Sequence, residues 1–96
     1  MRFMCYLNWT EQGARAMKDA PKRYEASRAI VEKLGGRIVS AYETTGQYDV
    51  ALTIDMPNGD AMTQFVVSLS SQGNARTTTV RAWTPEEFGK LAAEAP

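Results

Sequence analysis

Each stretch of this chain that reads as β-strand carries apolar or uncharged residues on both of its alternating faces, and the chain is too short to cover both. In Asp49 to Asp55, Val50, Leu52 and Ile54 alternate with Ala51 and Thr53. In Arg37 to Thr44, Ile38, Ser40 and Tyr42 alternate with Val39 and Ala41. In Arg2 to Asn8, Phe3, Cys5 and Leu7 fall on one face and Met4, Tyr6 and Asn8 on the other. A strand with one face in water alternates apolar with charged residues. Here the charges gather near strand ends, at Arg2, Arg37, Glu43, Asp49 and Asp55, with Arg76 and Arg81 the exceptions. Ninety-six residues make a single domain, 1–96, because a second core needs about 100 residues more.

The punctuation between these runs gives the order of elements. Thr10 can cap a short helical turn, whose stability Gly13 lowers. Asp19 or Ala20, with Pro21 just inside, starts a longer helix, since proline at the first helical position loses no needed N–H. Tyr24, Ser27, Val31 and Leu34, flanked by Ala26 and Ile30, follow its 3.6-residue period, and Gly35-Gly36 stops it. Two strands then flank the loop Thr45-Gly46-Gln47-Tyr48 as a hairpin. Pro57-Asn58-Gly59-Asp60 turns into a helix capped by Asn58 or Asp60, with Ala61, Met62, Phe65, Val66 and Leu69 as its apolar stripe and Gly73 as its end. Ala75 to Trp83 is a β-branched strand. Thr84-Pro85-Glu86-Glu87 is a capping box that opens a terminal helix carrying Phe88 and Leu91. The first six elements predict an α+β, ferredoxin-like βαββαβ fold: a four-stranded antiparallel sheet with two helices on one face and a C-terminal helix appended.

Helices on one face leave the other bare. Four strands ~4.8 Å apart and about seven residues long present a face of roughly 400 Å². A largely apolar patch of that size marks an interaction site. At about 25 cal/mol per Å² its burial stabilises by up to about 10 kcal/mol per chain before association costs. A second copy packed face to face about a two-fold axis covers it most simply, so a homodimer is expected.

Absent residues narrow the chemistry. The chain has no histidine and one cysteine, Cys5. Imidazole or thiolate metal sites and His-based nucleophile pairs are therefore excluded, and no metal or cofactor is expected. No GxxxxGK[ST] or GxGxxG phosphate cradle occurs. Eleven basic residues balance eleven acidic ones, so the basic footprint of a nucleic-acid binder is missing. No apolar run reaches the ~18 residues of a membrane span, and Met1-Arg2-Phe3-Met4 does not open a signal peptide. A lone thiol points to a reducing cytoplasm; inside a strand, Cys5 reads as a small buried hydrophobe. Arg15, Lys18, Lys22, Arg23 and Arg28 face only Asp19 and Glu25 in sequence. Lys22 and Arg23 fall in a first helical turn, where the macrodipole disfavours cations. They form either a solvated basic face or one with an anionic group nearby.

Gly46-Gln47-Tyr48-Asp49 followed by Val50, together with Trp9-Thr10-Glu11-Gln12-Gly13, Ala20-Pro21-Lys22-Arg23, Gly73-Asn74-Ala75-Arg76-Thr77 and Val80-Arg81-Ala82, resembles the GYD domain family. This is a family of small bacterial proteins named for its Gly-Tyr-Asp element, with no established reaction. The resemblance covers residues 1 to 83. It implies the dimeric α+β barrel group, in which two ferredoxin-like sheets pack face to face around a cavity. Gly46, Tyr48 and Asp49 then either shape the hairpin loop or, through Tyr48 and Asp49, line the cavity mouth. The candidate ligand-binding residues are Tyr6, Asn8, Tyr42, Tyr48, Asp49, Thr53, Thr77, Thr79 and Arg81. Apolar walls with a few converging polar groups are the usual form of a small-molecule site. Arg81 inside a dimer needs a carboxylate, from Asp49, Glu43 or Asp55, or an anionic ligand. The expected function is binding of a small, partly apolar or aromatic metabolite. The alternatives are cofactor-independent oxidation or isomerisation, with Asp49 or a tyrosine moving the proton and Arg81 or Asn8 holding an oxyanion, or a structural or regulatory assembly subunit.

Overall fold

A computed structural model describes residues 1–96. The elements are β1 (Arg2–Trp9), α1 (Glu11–Arg15), a 3-10 turn (Met17–Asp19), α2 (Ala20–Lys33), β2 (Arg37–Glu43), β3 (Val50–Asp55), α3 (Gly59–Gln72), β4 (Ala75–Ala82) and α4 (Pro85–Glu94). All pairings are antiparallel and the strand order is β2-β3-β1-β4. That is the ferredoxin-like arrangement predicted from sequence.

Caps fix the helix starts. The Thr10 hydroxyl accepts from Gly13 N, Asn58 Oδ1 accepts from Ala61 N, and Thr84 and Glu87 form a reciprocal capping box. The bonds to Thr84 also hold the Glu87 carboxyl below its ordinary value. At the far end of α3, Gly73 takes φ 78°, the left-handed turn that glycine permits.

The core lies between the sheet and the helix layer. Phe3, Cys5 and Leu7 of β1 and Val50, Leu52 and Ile54 of β3 point into it, opposite Val31 of α2 and Ala61, Met62, Phe65 and Leu69 of α3. Phe65, Ile54, Val31 and Cys5 are its fully buried centre. Helices cover only this side, and the molecule is 19 Å thick in its thinnest direction. That is the depth of one helix layer on one sheet.

Strict alternation fails in β2. Ile38 pairs with Ile54, but Ser40 pairs with Thr53 and Ala41 with Leu52, so a bulge lies between Ile38 and Ser40. One extra residue reverses the parity. Ile38 and Ala41 both pack against the core, while Ser40 and Tyr42 turn to the opposite face. Ile38, Ser40 and Tyr42 therefore do not share a face as their spacing predicts.

An ion cluster occupies one corner of the sheet. Arg2 donates through Nε and Nη2 to Asp55 at 2.8 and 3.0 Å, and Arg37 stands 3.7 Å from the same carboxylate. The bond from Arg2 holds the Asp55 carboxyl below its ordinary value, against the opposing effect of burial. A depressed folded-state pKa stabilises fully above the unfolded value of about 3.9, and that stability is lost as pH falls through the folded value. The melting-temperature gap between the native chain and Asp55→Asn is expected to close as pH drops from about 6 to about 2. It is a modest gap throughout, because 37% of the Arg2 and 32% of the Asp55 side chain remain exposed. Thermal melts across that range check it.

Candidate functional site

The sheet's uncovered face is set by register. Met4 stands between Thr53 of β3 and Val80 of β4, Tyr6 between Ala51 and Thr78, and Asn8 beside Arg76. Ser40 and Tyr42 extend the rows beyond Thr53 and Ala51. The middle of this face carries no charge: Arg2, Arg37 and Asp55 lie at one end and Arg76 toward the other. Met4, Tyr6, Ala51 and Thr53 are half-buried by their neighbours, whereas Tyr42 is 68% and Val80 46% exposed. The Thr53 hydroxyl reaches Met4 Sδ at 3.5 Å.

The β2–β3 hairpin folds one aromatic ring onto this face. Tyr48 stacks on Tyr6 with ring centroids 4.6 Å apart and planes 22° off parallel. Three contacts hold the loop in place. The Asp49 carboxylate accepts the Trp9 backbone N–H at 2.9 Å, Asp49 N donates to Leu7 O, and Asn8 Nδ2 donates to Gln47 O at 2.8 Å. Within the loop, the Thr44 hydroxyl donates to Tyr48 O at 2.6 Å, and Gly46 takes φ 103°, open only to glycine at little cost. Asp49 thus ties the hairpin to β1, and Tyr48 becomes the wall of a shallow aromatic shelf. The Gly46–Asp49 segment builds the end of the open face through its backbone and the Tyr48 ring.

A family model described as the GYD domain matches residues 3–92 of the 96. The chain belongs to the GYD domain family. No curated protein matches it. The match to the GYD model runs past residue 83 and into α4.

The GYD chain does not bring its nine sequence-predicted residues together. Tyr6, Asn8, Tyr42 and Thr53 share the open face, with Tyr48 and Asp49 at its end. Thr77, Thr79 and Arg81 pair with Leu7, Cys5 and Phe3, so they belong to the helix-covered side. Thr77 and Thr79 line a groove beneath α3 with Met62 and Val66. Arg81 lies between two rings, its Cζ 4.5 Å from the centroid of Trp83 and 5.8 Å from that of Phe3. It donates to Arg2 O and Ala82 O. Carbonyls and ring faces replace the carboxylate expected for it, since Asp55 is taken by Arg2 and Arg37. The physical reason is parity: a strand's odd and even residues part by face, and Arg81 shares the parity of Thr79. Sequence reasoning passed over Met4, Thr78 and Val80, whose signal was their alternation with core-facing neighbours.

Cys5 is fully buried, and burial pushes its thiol up, against a smaller lowering by the Thr79 hydroxyl. A thiol held protonated is a poor nucleophile. No helix of the GYD chain is long and apolar enough to cross a membrane.

Proposed function

We propose that this GYD protein acts as a homodimer whose two open sheet faces enclose a site for a small, partly apolar or aromatic metabolite. One observation carries the reading: the uncovered face is uncharged through its middle and built from Met4, Tyr6, Tyr42, Thr53 and Val80, with the Tyr6–Tyr48 stack at one end. Exposing such a face to water costs free energy, and burying it against a copy of itself lowers it. Its Tyr and Thr hydroxyls supply the few polar contacts that orient a ligand among apolar walls. A second uncovered surface supports the same reading. The terminal helix α4 makes almost no contact with the rest of the chain, and its Phe88 and Leu91 stand 61% and 49% exposed. Trp83, 46% exposed, lies between it and the sheet.

The ligand site comprises Tyr6, Asn8, Tyr42, Tyr48 and Thr53 from each chain. A flat aromatic or short apolar body matches the stacked ring pair better than a multiply charged one does. The buried Cys5 fits a reducing compartment, and the cytoplasm is the location this reading takes.

Sedimentation velocity at micromolar concentration is expected to give a particle of twice the 10.6 kDa chain mass. Native mass spectrometry of protein from its own host is expected to retain a small molecule that Tyr6→Ala loses while staying dimeric. A 10.6 kDa particle at those concentrations removes the dimer and its site together.

A further inference from the structure

On the helix side of the sheet, α2 and α3 barely touch, and between them a cleft of about 50 Å³ opens toward Trp9. Its floor is Leu7 and Leu52 of the sheet with Leu69 of α3, all buried. One buried water needs roughly 10–15 Å³ of such space, so the cleft takes about four water-sized atoms. Nothing in the chain's own packing fills it.

Arg23, in the first turn of α2, supplies a charge at the wall of this cleft. Its guanidinium lies over the Trp9 ring, with Cζ 5.1 Å from the centroid. Nη1 donates to Ala16 O at 2.6 Å and Nη2 to Gly13 O at 3.2 Å. Those carbonyls lie at the C-terminal end of α1, where a cation is welcome, and they explain the misplaced charge seen in the sequence. They leave the guanidinium's donor set incomplete, since arginine carries five N–H groups. Nε is sealed from solvent without an acceptor. No carboxylate of the chain pairs with Arg23. Glu43, also lining the cleft, is exposed and lies in no ion pair; its charge opposes ligands carrying more than one negative group.

An apolar slot for a few carbons, walled by a partly buried cation without a counter-ion, has a definite complement. We propose that this cleft binds a short-chain aliphatic monocarboxylate of about three to five carbons. The carboxylate pairs with the Arg23 guanidinium and the chain lies on Leu7, Leu52 and Leu69. The site is on the opposite side of the sheet from the metabolite site proposed above and stands or falls separately from it.

Titration of ¹⁵N-labelled protein with sodium butyrate, n-butanol or n-butylamine at constant ionic strength tests it. Butyrate is expected to give saturable shifts at the Leu7, Ser27, Leu52 and Leu69 amides and at the Arg23 Nε–H resonance. Butanol and butylamine are expected to bind at least tenfold more weakly, and Arg23→Gln to lose at least tenfold in butyrate affinity. Ser27→Leu fills the cleft from α2 and leaves the Arg23–carbonyl bonds in place, so a folded Ser27→Leu variant is expected to bind no butyrate. The proposal is overturned if butyrate gives no saturable shift in the native chain, if butanol binds as tightly, or if Ser27→Leu binds like the native chain.

Discussion

Gly13→Ala is expected to destabilise the fold by about 2–4 kcal/mol, although alanine is the better helix former. A Cβ at Gly13 would stand 2.0 Å from the Asn74 carbonyl oxygen and 2.9 Å from its carbon. Both are backbone atoms of the turn just before β4, so neither can swing aside. Relief requires α1 to lift from the α3–β4 turn, and several bonds cross that seam. Thr10 N donates to Asn74 O at 3.0 Å, the Thr10 hydroxyl donates to Gly73 O at 2.6 Å, and Gln12 Nε2 donates to Gln72 O and Asn74 Oδ1. Gly13 O is also one of the acceptors that hold Arg23, so the cleft wall moves too. Gly89→Ala is the control. That glycine lies inside exposed α4 with open space around its Cβ position, and the change is expected to stabilise by about 0.5–1 kcal/mol. Urea denaturation of both variants checks the opposite signs; equal effects would sink the close-approach account.

That pair of glycines marks where sequence is readable and where it is not. Gly13 in a short helix reads as a weak helix position, because propensity is local and the Asn74 carbonyl is 61 residues away (74 − 13). Caps are local in the same sense and so were legible: Thr10, Asn58 and the Thr84–Glu87 box needed no knowledge of the tertiary fold. The order of elements, and hence the ferredoxin-like sheet, follows from periodicity and turns. Face membership does not, since it depends on register. One bulged residue in β2 leaves Ile38 on the core side and puts Ser40 and Tyr42 on the opposite face. Arg81 stands with Tyr6 among the sequence's candidate ligand residues, although its register partner is Phe3. The Trp9–Arg23 stack joins residues from β1 and α2 and was equally invisible. The misfit of a cation in α2's first turn was its one trace.

Placing one charge in the middle of the open face is expected to weaken the proposed dimer at least a hundredfold. Thr53 suits the test, because it sits on central strand β3 between Met4 of β1 and Ser40 of β2. In Thr53→Glu the carboxylate would be carried into the interface from both chains, and a two-fold axis brings the two copies toward one another. An unpaired buried charge costs several kcal/mol, and about 2.8 kcal/mol already corresponds to a hundredfold in dissociation constant. The chain itself should stay folded, since the change faces away from the Phe65 and Ile54 core and costs about 1 kcal/mol or less in strand preference. Gln64→Glu adds the same charge to the exposed side of α3 and is expected to leave assembly unchanged. Sedimentation over a dilution series separates the cases, with far-UV circular dichroism reporting the fold. Should Thr53→Glu associate as the native chain does, the uncharged centre of the sheet is not the contact surface, and Met4, Tyr6 and Val80 are simply wetted.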